Sequence, residues 1–477
     1  MSARDSSWTV APSLLWFGAF LAGALIYLDG GVQAVADRLT AKRAADVPAA
    51  GPVFTAKPVV VAEADDTSDV APVLPAASGG SHDVGALDDT CLDPFGIEVD
   101  HHSGSSTRGG SDEACKRWAM DGFYKAVASA KQGTLGRAVR VSWYGDSVIA
   151  TDAIPGRLRT KLQGELGDGG PGFVFIVPPH RFNDHDAITR AQSGNWGSHA
   201  ISVMQTPDGL YGPGGATAET DGGKSTIKVA HGKVTNVELY YLAQPHGSTV
   251  TVTADGEPLI TAPTSADAKA AAYAAGTTAG AARFDIESRG RARLFGMTLE
   301  NAKGAVVDNL GVVSVNVKSW TNADAAHWSD ELAHRSADLI LITIGANEAQ
   351  WLQPGDKDTK DYQPHYESVL APIRKGRPDA ACLVVSPTDQ AEEKDGAYPS
   401  RPVMPLLVDA QRKAAHAQGC AFYSTYDWMG GKGSASKWFR KGLVGSDFQH
   451  LTQKGANKLA DGLYEALMTG YQKYASH

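Results

Sequence analysis

The sequence lacks several features that would assign it to a class of protein at once. It has 477 residues, of which 4 are cysteine, too few for a disulfide scaffold, and no CxxC pair suggests a zinc site. With 20% charged and 43% hydrophobic residues, it is too apolar for a disordered chain and too polar for a polytopic membrane protein. The 44 Lys and Arg residues form no basic stripe and are outnumbered by 53 Asp and Glu residues, so we expect no nucleic-acid partner.

One long apolar run stands at the amino terminus. Residues 6–28 carry no charge, and a helix of roughly 20 apolar residues matches the thickness of a bilayer core. We therefore expect residues 1–36 to be a membrane anchor or a signal segment. The length of the run favours an uncleaved anchor, whereas Ala34-Val35-Ala36 keeps a cleaved signal peptide open.

The compartment of the folded part is inferred from what flanks this run. Arg4 precedes it and Arg38, Lys42 and Arg43 follow it, which taken alone would place the carboxyl side in the cytoplasm. Residues 37–90, however, are rich in Ala and Pro with little periodicity, as in a flexible linker. Such a tether suits a catalytic domain held off a bacterial-type inner membrane, so we expect a periplasmic or extracellular location.

The four cysteines leave their pairing open. Cys91 and Cys115 are placed to close a short loop at the edge of the folded region, which would suit an oxidising compartment, or to remain unpaired thiols. Cys382 and Cys420 sit in apolar, strand-like runs, and we interpret them as small core residues.

Alternating strand and helix patterns indicate an α/β domain. Short apolar runs predict buried strands, and the intervals between them show helical periodicity. The strands are expected at 137–143, 306–315, 338–344, 381–385 and 421–424, and the helices at 152–166, 401–418 and 453–474. Continuous apolar strands alternating with helices predict a parallel sheet covered on both faces.

A long interval breaks this rhythm. From about 193 to 301 the apolar residues recur with a period of two between Gly-rich turns, which predicts an antiparallel, β-sandwich-like domain. An Ala-rich piece at 265–282 is interpreted as a loop or short helix. The expected order is therefore a first α/β part at 91–190, an inserted β domain and candidate carbohydrate-binding module at 191–301, and a second α/β part at 302–477.

Two short motifs carry residues suited to nucleophilic catalysis. Gly145-Asp146-Ser147 follows the first predicted strand, and open α/β sheets bind ligands beyond the carboxyl ends of their strands. Asp447 and His450, three residues apart, can lie on one face of a turn, where the carboxylate would orient an imidazole that activates a serine. Helix capping by the Asp or Ser residues is the structural alternative.

Two further motifs offer hydrogen-bond donors. Asn347, at the end of the strand 338–344, can donate its amide N–H to a developing oxyanion, or it can cap the next helix. Gly311, after another strand, can present its backbone N–H to the same oxyanion.

In chain order these four motifs resemble the blocks of the SGNH (GDSL-like) hydrolase family. The resemblance implies a flavodoxin-like three-layer α/β/α fold and acyl-ester chemistry without metal or cofactor. It makes Ser147 the nucleophile, His450 the general base and Asp447 its orienting partner. The backbone N–H groups of Ser147 and Gly311, with the side chain of Asn347, would form the oxyanion hole.

The inserted β domain resembles the arrangement in bacterial peptidoglycan O-acetylesterases. Trp196 and Trp351 are then candidates for stacking on sugar rings, with ordinary packing as the alternative. His180, Asp184 and His185 cluster in one segment, but without a further spaced ligand we interpret it as a polar loop near the cleft, not a metal site.

The resulting expectation is an exported serine esterase that removes acyl groups, expected to be O-acetyl groups, from a cell-envelope polysaccharide. An O-acetyltransferase that passes the same acyl-enzyme to a sugar is one alternative, and a non-catalytic glycan-binding scaffold is another. The chain departs from the family pattern at Glu348, where many members have Asp, and in the loose motif around Gly311.

Overall fold

The computed structural model describes residues 87–92, 115 and 117–476. The anchor or signal segment predicted at 1–36 lies outside them, as does the linker except for its last four residues. None of the helices in the described ranges could cross a membrane.

The described strands and helices follow the predicted alternation closely. The strands are β1 (Leu87–Asp88), β2 (Val139–Gly145), β3 (Gly172–Val174), β4 (Ile188–Ala200), β5 (Ala216–Val229), β6 (Val234–Ala243), β7 (Thr249–Ala254), β8 (Glu257–Pro263), β9 (Ala270–Ala281), β10 (Arg283–Ser288), β11 (Ala292–Glu300), β12 (Ala305–Gly311), β13 (Leu339–Thr343), β14 (Ala381–Val385) and β15 (Ala421–Tyr423). The helices are α1 (Asp121–Lys131), α2 (Ser147–Ala150), α3 (Ala153–Leu166), α4 (Ala325–Arg335), α5 (Lys357–Lys360), α6 (Tyr362–Gly376), α7 (Met404–Ala417), α8 (Thr425–Trp428), α9 (Ser434–Arg440) and α10 (Gln453–Ala475).

A six-stranded sheet in the order β1-β15-β14-β13-β2-β12 forms the centre of the α/β part of the described chain. All its pairs are parallel except the edge pair β1–β15. Every residue of β13 and β14 is buried, as expected of strands covered on both faces. In register, Gly145 of β2 lies between Gly311 of β12 and Thr343 of β13, so the carboxyl ends of three strands meet at one edge.

Helices cover both faces of this sheet, which gives three layers. One face packs on α1, α3 and α10, with Phe123, Leu158 and Leu463 in the cluster. The other packs on α4, α6 and α7, with Leu332 and Leu407 in a second cluster. The predicted α/β/α fold class is therefore confirmed.

A second, antiparallel sheet contains the strands between the two α/β parts. It runs β8-β7-β10-β5-β11-β6-β9, with β3 added on β11 and β4 on β5. The end strands β8 and β9 touch, since a Cβ on Gly276 would lie 2.8 Å from Leu259. The sheet thus curls around its own core. Strand β3, at 172–174, belongs to this sheet although it precedes the predicted start of the β domain at 191.

The Ala-rich piece is the clearest error of the sequence interpretation. Predicted as a loop or short helix, it forms strand β9, which pairs along β6 with Tyr273 opposite Tyr240. Alanine favours helices locally, but here the ladder with β6 and the packing of alternate residues prevail.

Two disulfides correct or complete the assignment of the cysteines. Cys91 pairs with Cys115, the loop that the sequence left open. Cys382 and Cys420 are buried, as expected of core residues, and they also pair with each other, which the sequence had left open. They end up together because β14 and β15 are parallel neighbours. Disulfides of this kind are typical of extracellular or periplasmic domains.

A buried ion network joins the two sheets. Arg335 of α4 makes two hydrogen bonds of 2.8 Å to Asp308 of β12 and lies 2.7 Å from Glu300 of β11. Arg140 of β2 contacts the other oxygen of Glu300 at 2.8 Å. Although burial opposes ionisation, the arginines keep the pKa values of Asp308 and Glu300 below their usual range.

Candidate active site

Ser147 stands at the turn between β2 and α2. It is the first residue of α2, and the Asp146 carboxylate caps that helix by accepting the N–H of Val148 at 3.0 Å. Gly145 is required before it, because a Cβ there would meet Ile149 and would lie 2.8 Å from the Thr343 carbonyl oxygen. The turn therefore presents the serine hydroxyl beyond the carboxyl edge of the sheet.

The Asp–His motif meets this hydroxyl. His450 Nε2 lies 2.9 Å from Ser147 Oγ, and His450 Nδ1 lies 2.6 Å from Asp447 Oδ2. The other oxygen of Asp447 accepts the backbone N–H groups of Gln449 and His450 at 3.0 Å each. The structure thus brings together residues that are 303 positions apart in the chain.

Hydrogen bonds and burial determine the pKa values of Asp447 and His450. The hydrogen bond to Asp447 raises the pKa of His450 above its ordinary value, against the opposing effect of burial. Burial also opposes ionisation of Asp447, but the hydrogen bonds from His450 and two backbone N–H groups lower its pKa to about 2. The arrangement keeps a carboxylate beside an imidazole of increased basicity, which is the requirement for removing a proton from a hydroxyl.

A buried carboxylate aligns the asparagine motif with Ser147. Asp146 is fully buried, and burial raises its pKa to about 6, while it accepts hydrogen bonds from Val148 and Ala346. The bond to Ala346 holds the residue before Asn347 next to the serine turn. Asn347 Nδ2 donates to the Val315 carbonyl at 2.8 Å, which leaves its second amide hydrogen for another acceptor.

Glu348, the departure from the family pattern, is a supporting residue. It is buried, and its carboxylate accepts the Val317 N–H at 2.8 Å; burial raises its pKa to about 7. It thereby fixes the segment after β12 to the segment after β13, on which Asn347 lies.

The role predicted for Gly311 does not fit this geometry. Its N–H donates to Asn309 Oδ1 at 3.1 Å, and a Cβ on it would clash with the backbone of Ala150. Gly311 is therefore needed for close packing of β12 against α2, and its N–H is already engaged.

Ser314, which the sequence reasoning missed, offers a backbone donor instead. It is exposed, has a φ of 65°, and its N–H has no acceptor among the described residues. It lies between Val312, whose N–H bonds to Gly145, and Val315, whose carbonyl bonds to Asn347. No glycine marks the position, so the sequence carried no signal for it.

The two tryptophans proposed as sugar platforms differ in setting. Trp351 is 52% exposed and follows Gln350, whose amide bonds to Gln449 beside His450 at 2.7 Å. Trp196 is partly buried against the core of the β domain, and its Nε1–H donates to the Ser193 carbonyl. Of the two, only Trp351 is largely exposed, and its sequence neighbour Gln350 contacts the Asp–His turn.

The candidate polar loop also lies beside the site. Asn183 donates to the Gly311 carbonyl at 2.6 Å, and the Asp184 N–H donates to Ala150. His185 is buried 3.9 Å from Asp152. Within the described ranges, no group of three or more His, Cys, Asp or Glu side chains is arranged to hold a metal ion.

Comparisons with known proteins show one family and several solved structures to which the chain is similar. The model of the GDSL-like lipase/acylhydrolase family matches residues 249–458, a range that holds Asn347, Asp447 and His450 but not Ser147. No curated protein sequence matches the chain significantly.

Several solved structures are similar to this chain. A structure described as "Peptidoglycan O-acetylesterase in action" matches with a TM-score of 0.64 and 25% identity, over 74% of this chain and 96% of the other. An acetylxylan esterase from Geobacillus stearothermophilus, in a catalytic mutant, matches 34% of this chain and 73% of its own at 18% identity, with a TM-score of 0.25. Another acetyl xylan esterase matches 34% and 80% at 15% identity, with a TM-score of 0.26.

Proposed function

We propose that the chain is an exported serine esterase that removes O-acetyl groups from a cell-envelope polysaccharide, a proposal supported by the match of the GDSL-like lipase/acylhydrolase model to residues 249–458. The observation that carries the proposal is the continuous set of hydrogen bonds from Ser147 through His450 to Asp447 at the edge of the parallel sheet. The two disulfides and the similarity to a peptidoglycan O-acetylesterase support the location and the substrate.

In the proposed first half-reaction, Ser147 Oγ attacks the acetyl carbonyl carbon while His450 Nε2 accepts the hydroxyl proton. Asp447 holds the Nδ1–H of the imidazole and stabilises the imidazolium that forms. His450 then passes the proton to the departing sugar oxygen, so the sugar leaves as an alcohol and an acetyl-serine remains.

The tetrahedral oxyanion is assigned to three donors. These are the backbone N–H of Ser147, the backbone N–H of Ser314 and the free amide hydrogen of Asn347. In the second half-reaction His450 takes a proton from water and the hydroxide attacks the acetyl carbonyl carbon. The bond from this carbon to Ser147 Oγ then breaks, and His450 returns the proton to Oγ, so acetic acid and the free serine result.

A polar cleft supports a binding role for the β domain. Asn195, His199, Glu219, Gln244 and Arg291 line it, a mixture of amide, carboxylate and guanidinium groups that suits sugar hydroxyls. We propose that this cleft holds part of the polysaccharide. Since β3 belongs to the same sheet, the role is best tested by variants of the whole chain and not on residues 191–301 alone.

The test is the variant Ser147→Ala, assayed with p-nitrophenyl acetate and with O-acetylated cell-wall glycan. We expect kcat to fall by roughly 10³ or more on both substrates, because the hydroxyl is the nucleophile. Ser368→Ala, at an exposed serine of α6, is the matched control and should stay within about twofold of the original enzyme.

The alternatives are separated in the same assay. Transfer of acetyl to an added acceptor oligosaccharide, in place of acetate release, would make the protein an O-acetyltransferase. An original chain that releases no acetyl from either substrate, or a Ser147→Ala variant that equals it, would leave only the non-catalytic scaffold.

A further inference from the structure

An aromatic groove adjoins the Asp–His turn and takes no part in the chemistry above. Its walls are formed by Tyr398, Pro399, Phe439, Arg440 and Phe448. The rings of Tyr398 and Phe448 stack with centroids 4.4 Å apart at 16°, and the Phe439 ring centroid lies 4.6 Å from that of Phe448. Phe448 is buried, whereas Tyr398 and Phe439 are 46% and 41% exposed. Two large rings therefore face solvent beside a third that supports them.

The groove is continuous with the candidate active site through Phe448. This residue stands between Asp447 and His450 and has a φ of 54°, a conformation that a bulky aromatic residue rarely adopts. Its ring is held by Tyr398 and Phe439, and its carbonyl accepts the Ala391 N–H. A ligand in the groove would therefore lie against the same turn that presents His450.

The walls of the groove are fixed before any ligand binds. Ser436 of α9 donates to the Tyr398 carbonyl at 2.5 Å, and Ser400 donates to the carboxylate of Asp389 at 2.6 Å. The same carboxylate accepts the Ala435 N–H at 2.9 Å. Asp389 thus holds helix α9 next to the segment 398–400. Ligand binding would therefore require little change in the walls of the groove.

One wall of the groove carries unpaired positive charge. Lys437, Arg440 and Lys441 are all exposed on α9 or directly after it. None of them makes an ion pair within the part of the chain that the structure describes. Only Arg440 also lines the groove, so its guanidinium is available beside the exposed rings.

The carboxylates on the opposite segment do not neutralise this charge. Glu392 pairs with Arg401 at 2.9 Å, and Glu393 accepts the Gly396 N–H at 2.8 Å. Asp395 is exposed at the tip of the hairpin, where Lys394 and Ala397 pair. An occupant of the groove therefore meets exposed aromatic rings and, beside them, the guanidinium of Arg440, which forms no ion pair with the described residues.

We infer that the aromatic groove is a subsite for a carboxylate-bearing sugar of the acetylated polysaccharide, an inference that rests on the proposed function. Exposed aromatic rings suit the apolar face of a sugar, and a guanidinium binds a carboxylate through two parallel hydrogen bonds. The subsite would hold the sugar unit next to the one whose ester reaches Ser147, and so it would select an acidic polymer.

The experiment measures binding to the full chain in a Ser147→Ala background, so that no turnover is needed. The probes are a tetrasaccharide of N-acetylglucosamine and O-acetylated N-acetylmuramic acid, and the same compound with its lactyl carboxyl groups converted to amides. Calorimetry should give about tenfold tighter binding of the acid form, since hydrogen bonds to charged groups are the stronger ones. Adding Arg440→Gln should abolish this preference. Arg289→Gln, at an arginine 91% exposed on the β domain, should retain it.

The aromatic wall is tested by Tyr398→Ala, which should weaken binding of both forms. Should that variant disturb the Asp–His turn, the Arg440→Gln result decides alone, because Arg440 is exposed on the last turn of α9. Equal affinity for the acid and amide forms, or a preference that survives Arg440→Gln, would overturn the subsite. Absence of acetate release by the original chain would instead overturn the esterase and leave the binding result intact.

Discussion

At the carboxyl edge of the parallel sheet, Asp447 and His450 form a hydrogen-bonded pair that solvent reaches, whereas Asp308 and Arg335 form an ion pair that is buried between the two sheets. In both pairs the carboxylate has a lowered pKa. The exposed pair leaves one imidazole nitrogen for Ser147, while the buried pair has both carboxylate oxygens engaged by Arg335.

The difference lies in what the remaining atoms can do. Asp308 also accepts hydrogen bonds from the Ser142 hydroxyl and the Phe173 N–H. These contacts hold β2, β3 and β12 together. A carboxylate whose oxygens already accept hydrogen bonds within the protein stabilises the fold but has no free oxygen with which to contact a substrate. The Asp447–His450 pair is smaller and partly solvated, and this keeps it reactive.

Among the variants that test the difference between the two pairs, Asp447→Asn is expected to have the largest effect. The hydrogen bond to Asp447 raises the pKa of His450, and only the neutral imidazole acts as a base. In the original enzyme kcat/KM should therefore rise with pH through a value above 6.5. The variant should lose about 10⁴ in kcat, and its acid limb should move to lower pH because the raising contact is gone. A pH–rate profile on p-nitrophenyl acetate checks both; an unmoved limb would contradict the assignment of His450.

The next effect concerns the buried pair. Arg335→Met leaves Asp308 and Glu300 buried without their common partner, so we expect a loss of about 3–5 kcal/mol in the free energy of unfolding at pH 7. The loss should shrink below about pH 4, where the carboxylates of the variant are protonated and the original chain loses the contribution of its lowered pKa values. Urea unfolding at the two pH values measures it. Arg289→Met, at an exposed arginine, should change stability by no more than about 0.5 kcal/mol.

The smallest effect is expected from Ser314→Gly, which distinguishes the backbone N–H of residue 314 from its side chain. Ser314→Gly keeps the N–H and relieves a left-handed backbone, which costs a non-glycine residue about 1–2 kcal/mol. Greater freedom of glycine in the unfolded chain offsets about 0.4–1 kcal/mol of this, so a gain of at most about 1.6 kcal/mol is expected. The value of kcat/KM should stay within about twofold. A tenfold loss would mean that the hydroxyl of Ser314, and not its N–H, is what the reaction uses.

Local patterns in the sequence were sufficient for the framework. The buried strands β13 and β14 are continuous apolar runs, and the helix α3 has the expected period, so each could be placed to within a few residues. Gly145 and Ser147 were predictable for the same reason: a nucleophile at a strand end follows from a short, local motif. The Asp447–His450 spacing is likewise local, because three residues bring two side chains to one face of a turn.

Contacts between distant segments could not be read in this way. Strand β9 is Ala-rich and becomes a strand only because β6 offers it a ladder. Cys382 and Cys420 pair only because their strands are neighbours in the parallel sheet. The N–H of Gly311 is engaged by Asn309 two residues away, and Gly311 packs against the backbone of Ala150, a contact between segments far apart in the sequence, so the motif did not reveal that this donor is occupied.

The sequence by itself determined the fold class and the kinds of chemical group available, because hydrophobic period and residue type are properties of short segments. Only the tertiary structure decided which groups meet: that Ser147 and His450 are 2.9 Å apart, that the N–H of Gly311 is engaged by Asn309, and that Tyr398, Phe439 and Arg440 share one groove. The physical reason is that such distances are fixed by the register of parallel strands and by the packing of loops from separate parts of the chain, and neither is encoded in the spacing of any one motif.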